Sequence, residues 1–209
     1  MTWQATKQQA GHRLTTQQKQ YVLRAESNLF LSDQPNQRQD PILKNQGVEY
    51  RKILGAPGGA YLSRIYLRRI SIEDYSELFE IDVELGEPAF VMVVRDVDAL
   101  TAIDLVAWPI KRPEVFGTYF EYAGLLGGDA AINPASFNEA PCPIWAAPLA
   151  WLQSGLRGCV VLNPWLAAPI LAEAPGKFQC EDEDHARWLV DARDVAMNEL
   201  MVPVRRAAS

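Results

Sequence analysis

Between Cys142 and Val190 the chain alternates apolar helical segments with short strand-like runs: P-L-A-W-L-Q-S-G-L-R-G, C-V-V-L-N, P-W-L-A-A-P-I-L-A-E-A-P-G, K-F-Q-C and E-D-E-D-H-A-R-W-L-V-D-A-R. This alternation is the pattern of an α/β unit. Cys159 to Leu162 is a continuous apolar run bounded by Gly158 and Asn163, as a short strand buried on both faces requires. Parallel strands need a crossover, and Pro164 to Glu173 can supply one. Asn163 is a good N-cap residue, Pro164 stands at the first helical position where a missing N–H is harmless, and Ala174-Pro175-Gly176 stops the segment. Pro169 inside it should kink the helix or split it into two short pieces. Lys177 to Cys180 reads as the next strand. Glu181 or Asp182 then caps a last helix, whose apolar face carries His185, Leu189, Ala192 and Ala196, with Trp188 and Val195 beside them.

Residues 1–47 have a different character. They are rich in Gln and Asn and hold one helix-like segment, Thr16 to Leu31, which Thr15 or Thr16 can cap and in which Val22, Ala25 and Leu29, joined by Tyr21 and Leu14, make a narrow apolar stripe. Asp33 to Gln46, with Pro35 and Pro41, reads as a linker. From Val48 to Ile110 the pattern is mostly strand-like. Glu49 to Leu54 is a candidate first strand, Tyr61 to Ile70 fits a helix or a strand, and Phe79 to Leu85 alternates apolar with acidic residues. Gly86-Glu87-Pro88 turns the chain into the apolar run Phe90 to Val94, so these two strands are expected to pair as a hairpin. Ala102 to Trp108 and Thr118 to Tyr122 follow as further strands, and Gly124 to Pro143 reads as a long connecting loop.

A chain of 209 residues, 48% hydrophobic and 22% charged, suffices for one good core and is short for two domains. The expected fold class is α+β or mixed α/β: a polar N-terminal helical arm over 1–47, then one domain over 48–209, antiparallel-rich in its first half and βαβ-like in its second. Without an apolar run of about 18 residues or an apolar signal core, neither a membrane span nor a secretory leader is expected, which gives a cytoplasmic reading. Three cysteines lie far apart and only two histidines occur, an unpromising set for structural zinc. The formal charge of −6 argues against broad binding to nucleic acid, because neutralising phosphates needs clustered Lys and Arg.

Several clusters have residue types that can carry chemistry. Asp96 and Asp98 stand at i and i+2 after an apolar strand, with Asp104 nearby; such carboxylates can hold Mg²⁺ or Mn²⁺ against substrate phosphate oxygens, or simply form a turn. Arg64, Arg68 and Arg69 can form an anion or nucleic-acid patch, or a solvated face. Glu181 to His185 resembles a metal or acid/base cluster, but acids in a first turn also suit the helix dipole, and Glu183 to Arg187 is a well-oriented i, i+4 pair. Cys180 and His185 are close enough in sequence to be weighed as a thiol and its base, with the surrounding acids opposing a low thiol pKa. Gly55 to Gly59 lacks the Lys that a phosphate-binding loop needs, and Gly127-Gly128-Asp129 lacks dinucleotide-binding spacing; both read as tight turns. The tryptophans lie mostly in apolar segments and read as core.

The stretches D-L-V-A-W, W-L-Q-S-G-L-R-G and C-V-V-L-N resemble segments of uncharacterised proteins of bacterial phages and mobile elements. No functional residue comes with that resemblance. Catalytic residues are unknown, and no resident cofactor is expected. The first functional expectation is a non-catalytic accessory or interaction protein, docking a protein partner or a second copy through the arm, with the loop from Gly124 to Pro143 as a second docking element. The alternatives are a divalent-metal enzyme acting on phosphate-containing substrates through Asp96, Asp98 and Asp104, and a nucleic-acid-associated module using the three arginines.

Overall fold

The computed structural model describes residues 15–31, 41–49, 62–69, 79–81 and 86–201. The strand expected over Glu49 to Leu54 (apart from Glu49, which is described and not in a strand), the glycine turn over 55–59 and His12 lie outside these residues. The described elements form a mixed α+β fold with two sheets.

Helix α1 spans Thr16–Leu31 and helix α2 spans Pro41–Asn45. The Thr15 hydroxyl accepts from the Gln18 N–H, while the Gln18 side chain accepts from the Thr15 N–H, so the two residues form a reciprocal capping box. The first sheet contains β1 (Leu62–Arg69), β2 (Phe79–Ile81), β3 (Glu87–Arg95), β4 (Ala102–Pro109) and β5 (Gly117–Thr118), in the order β2-β1-β3-β4-β5. All its pairings are antiparallel. The sequence left Tyr61 to Ile70 open between helix and strand, and its described part is strand. Among the described residues, the hairpin expected between Phe79–Leu85 and Phe90–Val94 is not formed. β2 pairs with β1, Leu67 opposite Ile81, and β3 takes the other edge of β1, Leu62 opposite Met92.

The second sheet holds β6 (Leu125–Leu126), β7 (Cys142–Trp145), β8 (Cys159–Val161) and β9 (Phe178–Cys180), in the order β6-β8-β7-β9. β6 is antiparallel to β8, and β7 is parallel to both neighbours. Helix α3 (Gly128–Ile132) and a 3₁₀ turn, Pro134–Phe137, occupy the stretch expected as a loop between Gly124 and Pro143. Helix α4 (Pro148–Gln153) joins β7 to β8, helix α5 (Pro164–Ala172) joins β8 to β9, and helix α6 (Glu183–Met201) follows. β8 and β9, expected as a parallel pair with one crossover, are both parallel but have β7 between them. The α4 crossover passes over one face of the sheet and the α5 crossover returns over the other, so both keep the same hand.

Alternation along the strands separates three cores. Leu62, Phe90, Met92, Val94, Val106 and Trp108 of the first sheet meet Leu126, Val160 and Leu162 of the second, with Leu149, Trp151 and Leu152 of α4. On the opposite face of the first sheet, Ile65, Ala89, Val91, Leu105 and Ala107 pack with Ala25 of α1. On the opposite face of the second, Leu125, Ile144, Cys159 and Val161 meet Ala131, Ala167, Ile170, Leu171 and Leu189. The layers therefore run helix, sheet, sheet, helices, with the largest apolar contact between the sheets.

Two further expectations change. Asn163 caps α5 as its sequence implies, accepting from Trp165 and Leu166 N–H, and the split into two short pieces does not occur: one helix continues through Pro169. In a nine-residue helix a mid-helix proline removes a single i→i−4 bond. The linker expected over Asp33–Gln46 ends in α2, whose Leu43 is fully buried in the middle core, and Gln153 Nε2 donates to the Gln46 carbonyl at 2.6 Å. Replacing Leu43 with Ala is expected to cost about 2–5 kcal/mol, as for any large core deletion. Urea unfolding measures this, and a loss below about 1 kcal/mol would show that α2 is only an appended linker.

Candidate functional site

Asp104 is the most unusual charged group among the described residues. It lies in β4 within the apolar run Ala102–Pro109 and is 0% exposed. A carboxylate taken out of water must find hydrogen-bond donors. Its Oδ1 accepts from the N–H groups of Leu105 at 2.7 Å, Phe120 at 2.9 Å and Tyr119 at 3.2 Å. Its Oδ2 accepts from Tyr122 at 2.8 Å and Ala123 at 3.2 Å. Five backbone donors thus converge on one side chain. Thr118 to Tyr122, expected as a strand, contributes only Thr118 to β5; the residues after it wrap the carboxylate. Glu121 stands at φ 58, in the left-handed region, and this reversal lets N–H groups on both sides of it reach the same acceptor. Above the cradle, Phe120 stacks on Tyr122 with centroids 5.5 Å apart and meets Tyr119 edge-on at 4.7 Å. Burial pushes the Asp104 carboxyl up to about 6, against the downward pull of the backbone N–H groups.

The other two aspartates of the expected metal cluster close a turn. Asp98 Oδ1 accepts from the N–H groups of Leu100 and Thr101, both at 2.8 Å, and Oδ2 from the Thr101 hydroxyl at 2.6 Å. That hydroxyl, and then the two N–H groups, hold the Asp98 carboxyl below its ordinary value. Asp96 accepts from Val97 N–H, and its own N–H bonds the Thr101 carbonyl. The structure does not bring Asp96, Asp98 and Asp104 together as ligands; among the described residues no group of three or more His, Cys, Asp or Glu is placed to hold a metal. The buried aspartate had a readable signal: a lone acid inside A-I-D-L-V-A-W. What could not be read was which segment returns to satisfy it.

Arg64, Arg68 and Arg69 lie on β1 opposite Phe90, Glu80 and Phe79. Their side chains are outside the described residues. In the acidic segment before α6, Asp182 is the cap, accepting from His185 N–H at 2.7 Å. The expected Glu183–Arg187 pair is replaced by Asp184 and Arg187 at 3.1 Å, both well exposed. Burial raises the Cys180 thiol, with Asp182 and Glu181 adding to the effect, so this thiol lacks the activation a nucleophile needs. Cys142 and Cys159 are buried free thiols, both raised by desolvation. Trp151 is buried and donates to the Gly158 carbonyl at 2.8 Å, while the half-buried Trp145 donates to Arg157 at 2.6 Å. These two do not form a shared exposed surface.

Two outcomes follow from the Asp104 cradle. Asp104→Ala removes the acceptor of the Leu105, Phe120, Tyr122 and Ala123 N–H groups, while Tyr119 N–H keeps the Leu105 carbonyl at 3.0 Å, and is expected to cost roughly 3 kcal/mol or more by denaturant unfolding. Between the ordinary value of 3.8 and about 6, the folded chain holds a proton that the unfolded chain has released. Acidifying through that window therefore adds stability: the wild-type advantage over Asp104→Asn is expected to grow by about 2–3 kcal/mol from about pH 7 to about pH 4. A constant difference across that range would show that Asp104 titrates as an ordinary carboxyl.

No known family model matches the chain, and no curated protein or solved structure is significantly similar to it.

Proposed function

We propose that the protein is a non-catalytic accessory or interaction protein, a component of an assembly such as a phage or mobile-element complex, that engages a protein partner or a second copy of itself through the outer surface of α1. The supporting observation is how α1 sits. Val22 is fully buried and Ala25 packs on the outer face of the first sheet, so the helix is fixed to its own domain. Tyr21 and Leu23, on either side of that stripe, remain 52% and 54% exposed. A helix anchored in this way presents its outward side chains in a fixed geometry, which lowers the ordering cost of binding.

Because Val22 and Leu43 are core residues, removing residues 1–46 would damage the fold rather than test the interaction. The informative variant combines Tyr21→Ser with Leu23→Glu, which leaves the buried stripe intact. Light scattering and peptide identification on the chain recovered from its own cells should find a defined complex or homo-oligomer. That complex should dissociate in the double variant while thermal unfolding is unchanged. A wild-type chain that runs as a lone monomer, or a complex indifferent to both substitutions, would refute the α1 reading.

A further inference from the structure

β9 is an edge of the second sheet: among the described residues β7 pairs with one side of it and no strand with the other. The Cys142 N–H bonds the Lys177 carbonyl at 2.9 Å, which fixes how the parallel ladder is read. In such a ladder alternate residues of a strand turn their N–H and C=O groups to the same neighbour. Lys177, Gln179 and Glu181 therefore serve β7, and Phe178 and Cys180 direct their backbone groups away from it. The side chains alternate in the same way between the two faces. Phe178 and Cys180 are half-buried, packed against the core that includes Ala167 and Ile144. Lys177, Gln179 and Glu181, on the other face, are all exposed.

A short edge strand with charged side chains ordinarily resists pairing. Here the two charges are opposite in sign and equally far from Gln179, at either end of K-F-Q-C-E. A two-fold axis through Gln179 makes each the other's partner. We propose that β9 is a self-pairing edge: two copies of the chain join antiparallel through β9 into one continuous sheet, with Phe178 opposite the partner's Cys180 and Lys177 opposite the partner's Glu181. Phe178 and Cys180 are the residues whose backbone groups point outward, so both of their pairs exchange N–H···O bonds and the edge is satisfied. Lys177 and the partner's Glu181 then form the closer, non-hydrogen-bonded kind of pair, with Cβ atoms about 5 Å apart. A register centred on Phe178 would put Lys177 opposite the partner's Gln179, and one centred on Cys180 would put Glu181 there. Only the Gln179 centre matches the charges along the strand. An edge of three residues is a small contact, below the roughly 1,200 Å² of a standard interface, so the dimer forms at raised concentration. β9 closes one edge of the second sheet and α1 lies on the outer face of the first, so this surface is independent of the one on α1.

Sedimentation equilibrium on the purified intact chain, from about 1 μM to about 1 mM, tests it. The average mass should rise from one chain to two across that range. Lys177→Glu or Glu181→Lys alone sets like charges opposite each other twice per dimer and should weaken association about tenfold or more. The two exchanges together keep the net charge and should restore the dimer to within about threefold of wild type. Tyr21→Ser with Leu23→Glu should leave it unchanged. Amide exchange should show Phe178 and Cys180 gaining protection in the concentrated chain, with Gln179, whose N–H faces β7, the same at both concentrations. A chain that stays monomeric throughout overturns the proposal and leaves the edge to a strand of another protein. A dimer that both single exchanges leave intact, that the double exchange fails to restore, or that only the α1 variant dissociates overturns it as well.

Discussion

A single carboxylate buried between two sheets sets the path of the chain between them. Asp104 points from β4 toward the middle core, where an unsatisfied charge would not be tolerated. Its five donors come mainly from the residues after β5, so that segment has to curl back over the end of β4 before it can go anywhere else. Glu121 takes a left-handed conformation to allow it. The exit from that curl delivers Ala123 into the middle core and starts β6 one residue after Gly124. The placement of the second sheet against the first is thus tied to one side chain of the first.

Gly124 shows how tightly the next step is drawn. A Cβ there would lie 2.6 Å from the Ala167 nitrogen, and the Gly124 carbonyl accepts from the N–H groups of both Leu162 and Asn163. The backbone leaving the cradle therefore runs directly against the start of α5 and helps to hold the residue that caps it. Gly158, at φ 79 with the Pro143 carbonyl 2.1 Å from where a Cβ would stand, does the same at the entry to β8. Close backbone contacts of this kind let the two- to four-residue strands of the second sheet hold a defined register despite their length. The sheet owes its order less to long hydrogen-bonded ladders than to the apolar layers on its two faces.

What the sequence made legible was local. Asn163-Pro164 reads as a helix start because cap chemistry involves adjacent residues, Cys159 to Val161 reads as a buried strand because both its faces are apolar, and Asp182 reads as a cap for the same reason as Asn163. What escaped depended on distant partners. Phe79-Glu80-Ile81 looks ready to pair with the next strand, yet the edge it takes belongs to β1, and nothing within the segment encodes that choice. Ile42-Leu43, a single apolar pair between Pro41 and Lys44-Asn45-Gln46, gives no periodic signal, and only the middle core shows why Leu43 is apolar. Asp104 was visible as an anomaly in an apolar strand, and the metal reading treated it as a partner for Asp96 and Asp98. Its partners are amides of a segment whose own residues look like another strand.

The same logic bears on function. Residue types that suggest chemistry in a sequence are also those that hydrogen-bond well to backbone, and here the backbone claims them: Asp98 closes a turn, Asp182 caps α6, and Asp104 organises a loop. A carboxylate in such a role has its lone pairs directed at amides, which lowers its value as a metal ligand or base even where it is exposed, as Asp98 is. Side chains that the fold does not use internally are better guides. On α1 the buried stripe of Val22 and Ala25 accounts for the helix being on the sheet, whereas Tyr21 and Leu23 stay about half exposed. Exposed apolar side chains scattered over a surface need no special cause. Two of them on a helix whose neighbouring residues Val22 and Ala25 are anchored on the sheet are the feature on which the proposed interaction role rests.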